Sequence, residues 1–143
     1  MAEPTEHPRH LEALTIDECF ALLRDQVVGR LATTSAGGPP FVVPVTFVFD
    51  GTSVIFRSDP GEKLHALDQD VSFQVDGFDH MHRTGWSVLV QGRIELAEDA
   101  DITDVELEPW IGDRGLWIRL VPGVITGRRL VMTLPDVDAR GYR

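Results

Sequence analysis

The alternation of apolar and polar positions divides the chain into one helical segment followed by a run of short strand-like segments. Ile16, Cys19, Phe20 and Leu23 recur at helical spacing, which predicts an amphipathic helix over residues 16–25. Thr15 precedes it as a cap, and Glu18 completes a Thr-x-x-Glu capping box. From residue 27 onward the period shortens to two. Strands are expected over residues 27–34, 41–49, 52–58, 71–76 and 86–96, the last with Trp86, Val88, Val90 and Ile94 on one side. Two closing strands, 116–121 and 124–132, are expected to meet at a Pro122-Gly123 turn. Asp50-Gly51 is a strong hairpin signal. A short helix over 61–67 and an acidic helix over 99–108 complete the set. Short strands with tight turns predict a mainly β (α+β) antiparallel barrel or sandwich. Residues 1–13 read as a flexible, frayed N-terminal segment and 135–143 as a tail, around one domain at 14–134.

One strand breaks the alternation. Phe41 through Phe49 is apolar throughout except at Pro44 and Thr46, so both of its faces need cover. One face can line a barrel, and the other calls for a subunit or a flat ligand. Pro44 removes a ladder N–H and marks an edge or an interruption in pairing. Backbone groups of Val45 and Thr46 are then candidates to bond a ligand; a buried strand with a proline bulge is the plainer alternative.

Composition narrows the function classes. The 143 residues suit one domain with a proper core. A net charge of -10 argues against a nucleic acid or an anionic membrane as partner. No apolar run approaches a membrane span, and the polar start lacks a signal-peptide core, so a cytoplasmic location is expected. Cys19 is the single cysteine, which leaves no internal disulfide and reads as a buried structural thiol.

The most informative local stretch is Phe56-Arg57-Ser58-Asp59-Pro60-Gly61-Glu62-Lys63-Leu64, which holds the only lysine in the chain. A strand, a polar turn and a helix start bring together a serine hydroxyl, free backbone N–H groups and an ammonium, a combination that suits a phosphate. A polar turn with one solvated lysine is the alternative reading. Other chemistry is less developed. His80 and His82 flank Met81 in a loop without a third ligand at metal spacing, so no metal site is expected. There is no Gly-x-Ser-x-Gly, and Gly37-Gly38 lies in a hairpin rather than opening a helix. Trp110 and Trp117 read as core or interface residues, and Arg128-Arg129 as flanking the last strand.

Five motifs then occur in a familiar order: Val28-Gly29-Arg30-Leu31-Ala32, Pro44-Val45-Thr46-Phe47, Ser58-x-x-Gly61-x-Lys63-Leu64, Gly85-Trp86-Ser87-Val88-Leu89-Val90-Gln91-Gly92-Arg93 and Ile125-Thr126-Gly127-Arg128-Arg129. Together they resemble the pyridoxamine 5'-phosphate oxidase-like family of flavin-binding split barrels, in its small, divergent branch. The resemblance implies a six-stranded antiparallel split β-barrel that forms a homodimer, with FMN in a cleft at the subunit interface. It implies that Ser58 and Lys63 hold the FMN phosphate, with Arg57 assisting and Gly61 and Leu64 completing the motif. Pro44, Val45 and Thr46 would lie along the isoalloxazine ring, and Trp86 and Ser87 would reach it from the partner subunit.

The implied function is a flavin-dependent oxidoreductase acting on a small-molecule redox substrate. The chain lacks the oxidases' arginine-rich strand and a second phosphate pocket, so production of pyridoxal phosphate is not expected. An F420-dependent reductase of the same fold and a non-catalytic flavin- or haem-binding module are the alternatives, with the acidic balance leaning against F420. No catalytic residue is singled out, because the redox chemistry would belong to the flavin.

Overall fold

The computed structural model describes residues 9–34, 38–58, 68–97 and 116–132, and of Ser58 only the backbone. The elements in chain order are β1 (Arg9–Ala13), α1 (Ile16–Asp25), β2 (Val28–Thr34), β3 (Pro40–Phe49), β4 (Val54–Ser58), β5 (Asp70–Asp79), β6 (Thr84–Leu96) and β7 (Leu116–Met132). The helices expected over 61–67 and 99–108, and the tail from 135, lie outside the described residues.

All strand pairings are antiparallel, in the order β1-β7-β4-β3-β2-β5-β6, and β6 also pairs with β7. That last pairing closes six strands, β2 to β7, on themselves, while the first half of β3 extends beyond its short ladder with β4. This is the split-barrel architecture.

Two sequence expectations are corrected. The frayed segment 1–13 was too long: Arg9–Ala13 adds a strand to the far half of β7, in register from Arg9↔Met132 to Ala13↔Arg128. Its residues are mostly exposed, so backbone pairing holds it rather than an apolar pattern. The two closing strands are a single 17-residue strand. What looked like a turn at Pro122-Gly123 is a bulge, where the β6–β7 register shifts by one between Gln91↔Val124 and Gly92↔Pro122.

Local chemistry explains the helix and the β3–β4 hairpin. The Thr15 hydroxyl accepts from the Glu18 N–H at 3.2 Å, and Glu18 Oε1 accepts from the Thr15 N–H at 3.0 Å. Cys19 and Leu23, one turn apart, turn the apolar stripe of α1 into the core. Between β3 and β4, Gly51 takes φ 101°. There the Asp50 carboxylate accepts from the N–H groups of Thr52 at 2.8 Å and Ser53 at 2.7 Å.

The barrel interior is filled by the inward positions of strands β2 to β7, among them Leu31, Phe47, Phe56, Phe73, Val88, Val90, Ile94, Ile118 and Leu120. Phe47 and Phe73 meet edge to face, with centroids 4.8 Å apart. Each such buried side chain contributes about 1.5–3 kcal/mol. This scaffold fixes the positions of β3 and β4, which carry the predicted site.

Candidate functional site

The phase of the β2–β3 ladder decides what β3 offers a ligand. The Phe47 N–H donates to the Val27 carbonyl at 3.0 Å. Odd residues of β3 therefore exchange backbone hydrogen bonds with β2, while Val42, Pro44 and Thr46 turn theirs to the opposite side. Among the described residues, β4 occupies that side only from Phe47 onward. Pro44 thus lacks an N–H at a position where no ladder bond is required of it, as expected for an edge.

The same phase corrects one expectation. Val45 is matched to Gly29, so its backbone groups serve the β2 ladder, and its side chain lies in the core. The groups left facing the uncovered side are those of Val42, the Pro44 carbonyl and the backbone groups of Thr46. Side chains follow suit: Val42 is 61% exposed and Pro44 is exposed, while Thr46 is half-buried. Among the described residues nothing covers the outer face of this apolar strand at Val42 and Pro44.

Arg57 and Ser58 close β4, matched to Trp117 and Leu116 of β7. Arg57 sits on the outer face, next in sequence to the core residue Phe56. Its guanidinium carbon lies 5.0 Å from the centroid of the Trp117 ring. Its Nε is buried and makes no hydrogen bond, and among the described residues it forms no ion pair. A buried, unsatisfied donor costs about 1–3 kcal/mol, so this cation fits an anionic group supplied from outside the described residues. Two positions along β7 from Trp117, Arg119 also has an orphan Nε but is paired with the Glu95 carboxylate. Gly61, Lys63 and Leu64, the rest of the predicted phosphate motif, lie outside the described residues, as does His65.

Trp86 and Ser87 lie on β6, three strands from β3 in the order β3-β2-β5-β6, roughly 14 Å around the barrel at ~4.8 Å per strand. Trp86 turns inward and packs against the core. Its indole covers Gly77, where an added Cβ would stand 2.7 Å from Nε1. Ser87 turns outward between Asp76 and Arg128. One chain therefore gathers Pro44, Thr46, Arg57 and Ser58 on neighbouring strands but does not bring Trp86 and Ser87 to them.

Two open pockets lie elsewhere on the barrel, and neither is lined by Pro44, Thr46 or Arg57. One of about 390 Å³ is lined by Gly77, Phe78, Trp86 and Arg129, among others. The other, about 540 Å³, lies where β2, β5 and the β6–β7 bulge meet, and includes Thr33, Val71 and Gly92. The second contains none of the predicted cofactor residues.

Other titratable groups are tied into structural pairs. Arg129 pairs with Glu18 at 3.2 Å, and His82 with Asp79 at 2.7 Å. The His82 hydrogen bonds hold the Asp79 carboxyl below its usual range. Burial, and then the neighbouring Glu18 charge, push the Cys19 thiol up. Among the described residues no group of three His, Cys, Asp or Glu side chains converges, and no helix is long and apolar enough to cross a membrane.

Sequence reasoning missed Trp117 as a site neighbour. Only the β4–β7 register places it against Arg57, and no local spacing announces that pairing.

The geometry agrees with what the chain is similar to. The sequence model of the pyridoxamine 5'-phosphate oxidase family matches residues 15–129. The uncharacterized protein Rv0080 of Mycobacterium tuberculosis is 28% identical over 134 residues, covering 86% of this chain and 88% of its own. The structure of an FAD binding protein from Mycobacterium smegmatis superposes with a TM-score of 0.71 at 35% identity, covering 82% of this chain and 98% of that one. An FAD-binding protein from Mesorhizobium loti gives a TM-score of 0.70 at 26% identity, covering 86% and 98%. With a family match that runs from the cap of α1 to within three residues of the end of β7, the chain belongs to the pyridoxamine 5'-phosphate oxidase family.

Proposed function

We propose that this protein binds a flavin nucleotide as a homodimer and acts as a flavin-dependent oxidoreductase on a small-molecule redox substrate. The observation that carries the reading is Arg57: a cation without an ion pair among the described residues, at the end of β4, beside the uncovered side of β3. Arg57, Ser58 and Lys63 would hold the phosphate, and Gly61 and Leu64 would shape the turn that presents it. Pro44 and Thr46 would lie along the ring, with the Pro44 carbonyl available to its polar edge. The similarity to two FAD-binding proteins supports a flavin and admits FAD alongside FMN, which share the inner phosphate.

When bound, the flavin would supply the hydride or electron transfer. The residues of this chain bind and orient it: the guanidinium and ammonium fix the phosphate end, and β3 forms an apolar wall against one face of the ring. Trp86 and Ser87 of a second copy would complete the cleft. A second copy would also cover the open outer face of β3, where Val42 is exposed.

The test is fluorescence titration of FMN, FAD and F420, each with the purified protein, alongside light scattering. FMN or FAD binding at one site per chain in a dimer is expected, and Lys63→Ala should weaken it by about 1–3 kcal/mol. Preference for F420 would keep the fold and move the function to deazaflavin chemistry. A folded protein that binds none of the three would overturn the reading, and a monomer at micromolar concentration would overturn the interfacial cleft.

A further inference from the structure

We infer that Trp117 is a positioning residue that holds the Arg57 guanidinium in one orientation and thereby sets the preference for a phosphorylated over an unphosphorylated flavin. The inference rests on the phosphate reading of Arg57 given above.

Arg57 and Trp117 are directly opposite in the β4–β7 ladder, so their side chains leave the sheet on the same face. The guanidinium lies over the indole at 5.0 Å, within the range of a cation–π contact. The platform is itself held on both sides. Trp117 lies opposite Arg57 of β4 on one side, and on the other its carbonyl accepts from the Ala97 N–H at 2.9 Å.

The choice of partner matters for what Arg57 can do. Arg119, on the same face, is paired with the carboxylate of Glu95, which neutralises its charge. An aromatic face attracts a cation without neutralising it and leaves the in-plane N–H donors unused. The buried Nε lacks an acceptor in both Arg57 and Arg119; what separates them is the Glu95 carboxylate, which Arg119 has and Arg57 does not. A stacked guanidinium with its charge intact and its rotamers restricted is the form that binds an oxyanion best, because little freedom is lost on contact.

The test compares FMN with riboflavin, which differ only in the phosphate, on wild type, Trp117→Phe, Trp117→Leu, Trp117→Met and Arg57→Ala. Wild type is expected to prefer FMN. Trp117→Leu should reduce that preference about tenfold while riboflavin affinity changes little, and Trp117→Phe should retain most of it. In the Arg57→Ala background, Trp117→Leu should leave the ratio unchanged. Circular dichroism confirms folding; where the leucine variant does not fold, Trp117→Met, apolar but without a ring, takes its place.

An equal loss for both flavins would mean that Trp117 only supports the fold, and would overturn the inference. So would an unchanged ratio. If wild type binds FMN no better than riboflavin, the phosphate reading of Arg57 falls, and this inference with it. Those outcomes are distinct from wild-type selectivity that survives loss of the indole.

Discussion

A β-carbon on Gly29 would stand 2.1 Å from Cζ of Phe73. The two residues lie on adjacent strands, and Phe73 uses the space to meet Phe47 edge to face. The glycine of the Val28-Gly29-Arg30 motif is thus a seat for an aromatic ring. Gly29→Ala should destabilise the protein by about 1–3 kcal/mol, the cost of overfilling a packed core. Urea unfolding would measure it, and Phe73→Leu in the alanine background should recover part of the loss. Wild-type stability in Gly29→Ala would show that the ring is not fixed there.

The cap of α1 makes a second prediction. Thr15 and Glu18 satisfy each other's backbone N–H groups. Thr15→Ala should cost about 1 kcal/mol. Glu18 also meets Arg129 at 3.2 Å, yet that pair is substantially exposed, so Arg129→Gln should cost less than about 0.5 kcal/mol. Thermal melts of the two variants test the order.

Asp50 sets an acid limit. Partial burial raises its pKa, but hydrogen bonds from the Thr52 and Ser53 N–H groups and the Thr52 hydroxyl, with the Arg119 charge, outweigh it and hold the carboxyl below its usual range. A depressed folded value means the stabilisation is present above the unfolded carboxylate pKa, about 3.9, and is lost as pH falls through the folded value. Asp50→Asn should cost about 1 kcal/mol at neutral pH and flatten the decline in stability below about pH 4. Denaturation curves from pH 2 to 7 would show parallel acid limbs if Asp50 contributes nothing.

Cys19 should be inert in the native state. It is fully buried, its Sγ lies 2.7 Å from where a β-carbon of Gly127 would be, and burial disfavours its thiolate. Iodoacetamide is expected to modify it only once denaturant is added; rapid native labelling would contradict the packing of α1 on β7.

What could be read in advance was local. The capping box, the turn at Asp50 and Gly51, and the inward row of Trp86, Val88, Val90 and Ile94 each state their geometry within a few residues, and each is present. Pro44 announced the uncovered side of β3 in the same way. β1 could not be read, because its exposed residues carry no apolar period and its place is fixed by pairing with β7. Nor could Val45 be excluded as a source of free backbone groups, since the ladder phase depends on which β2 residue it meets. For the site, Arg57 and Ser58 stood out by their place at a strand end. Trp117 did not, because its contact with Arg57 spans the β4–β7 register and not a motif.

The bulge in β7 has a bearing on chain length. Before it, Ile118 and Leu120 face inward; after it, Ile125 packs on the core and Gly127 lies against Cys19. The extra residue at Gly123 shifts the strand by half a repeat, and Gly92 leaves room for the crowded carbonyl of Val121. The segment from 116 to 132 is therefore a counted ruler with one deliberate misprint. Removing that residue would restore the alternation and ruin the fit, turning Thr126 and Arg128 toward the helix and exposing Ile125 to water. A substitution along this strand acts at its own position, whereas a one-residue insertion or deletion reverses every position beyond it.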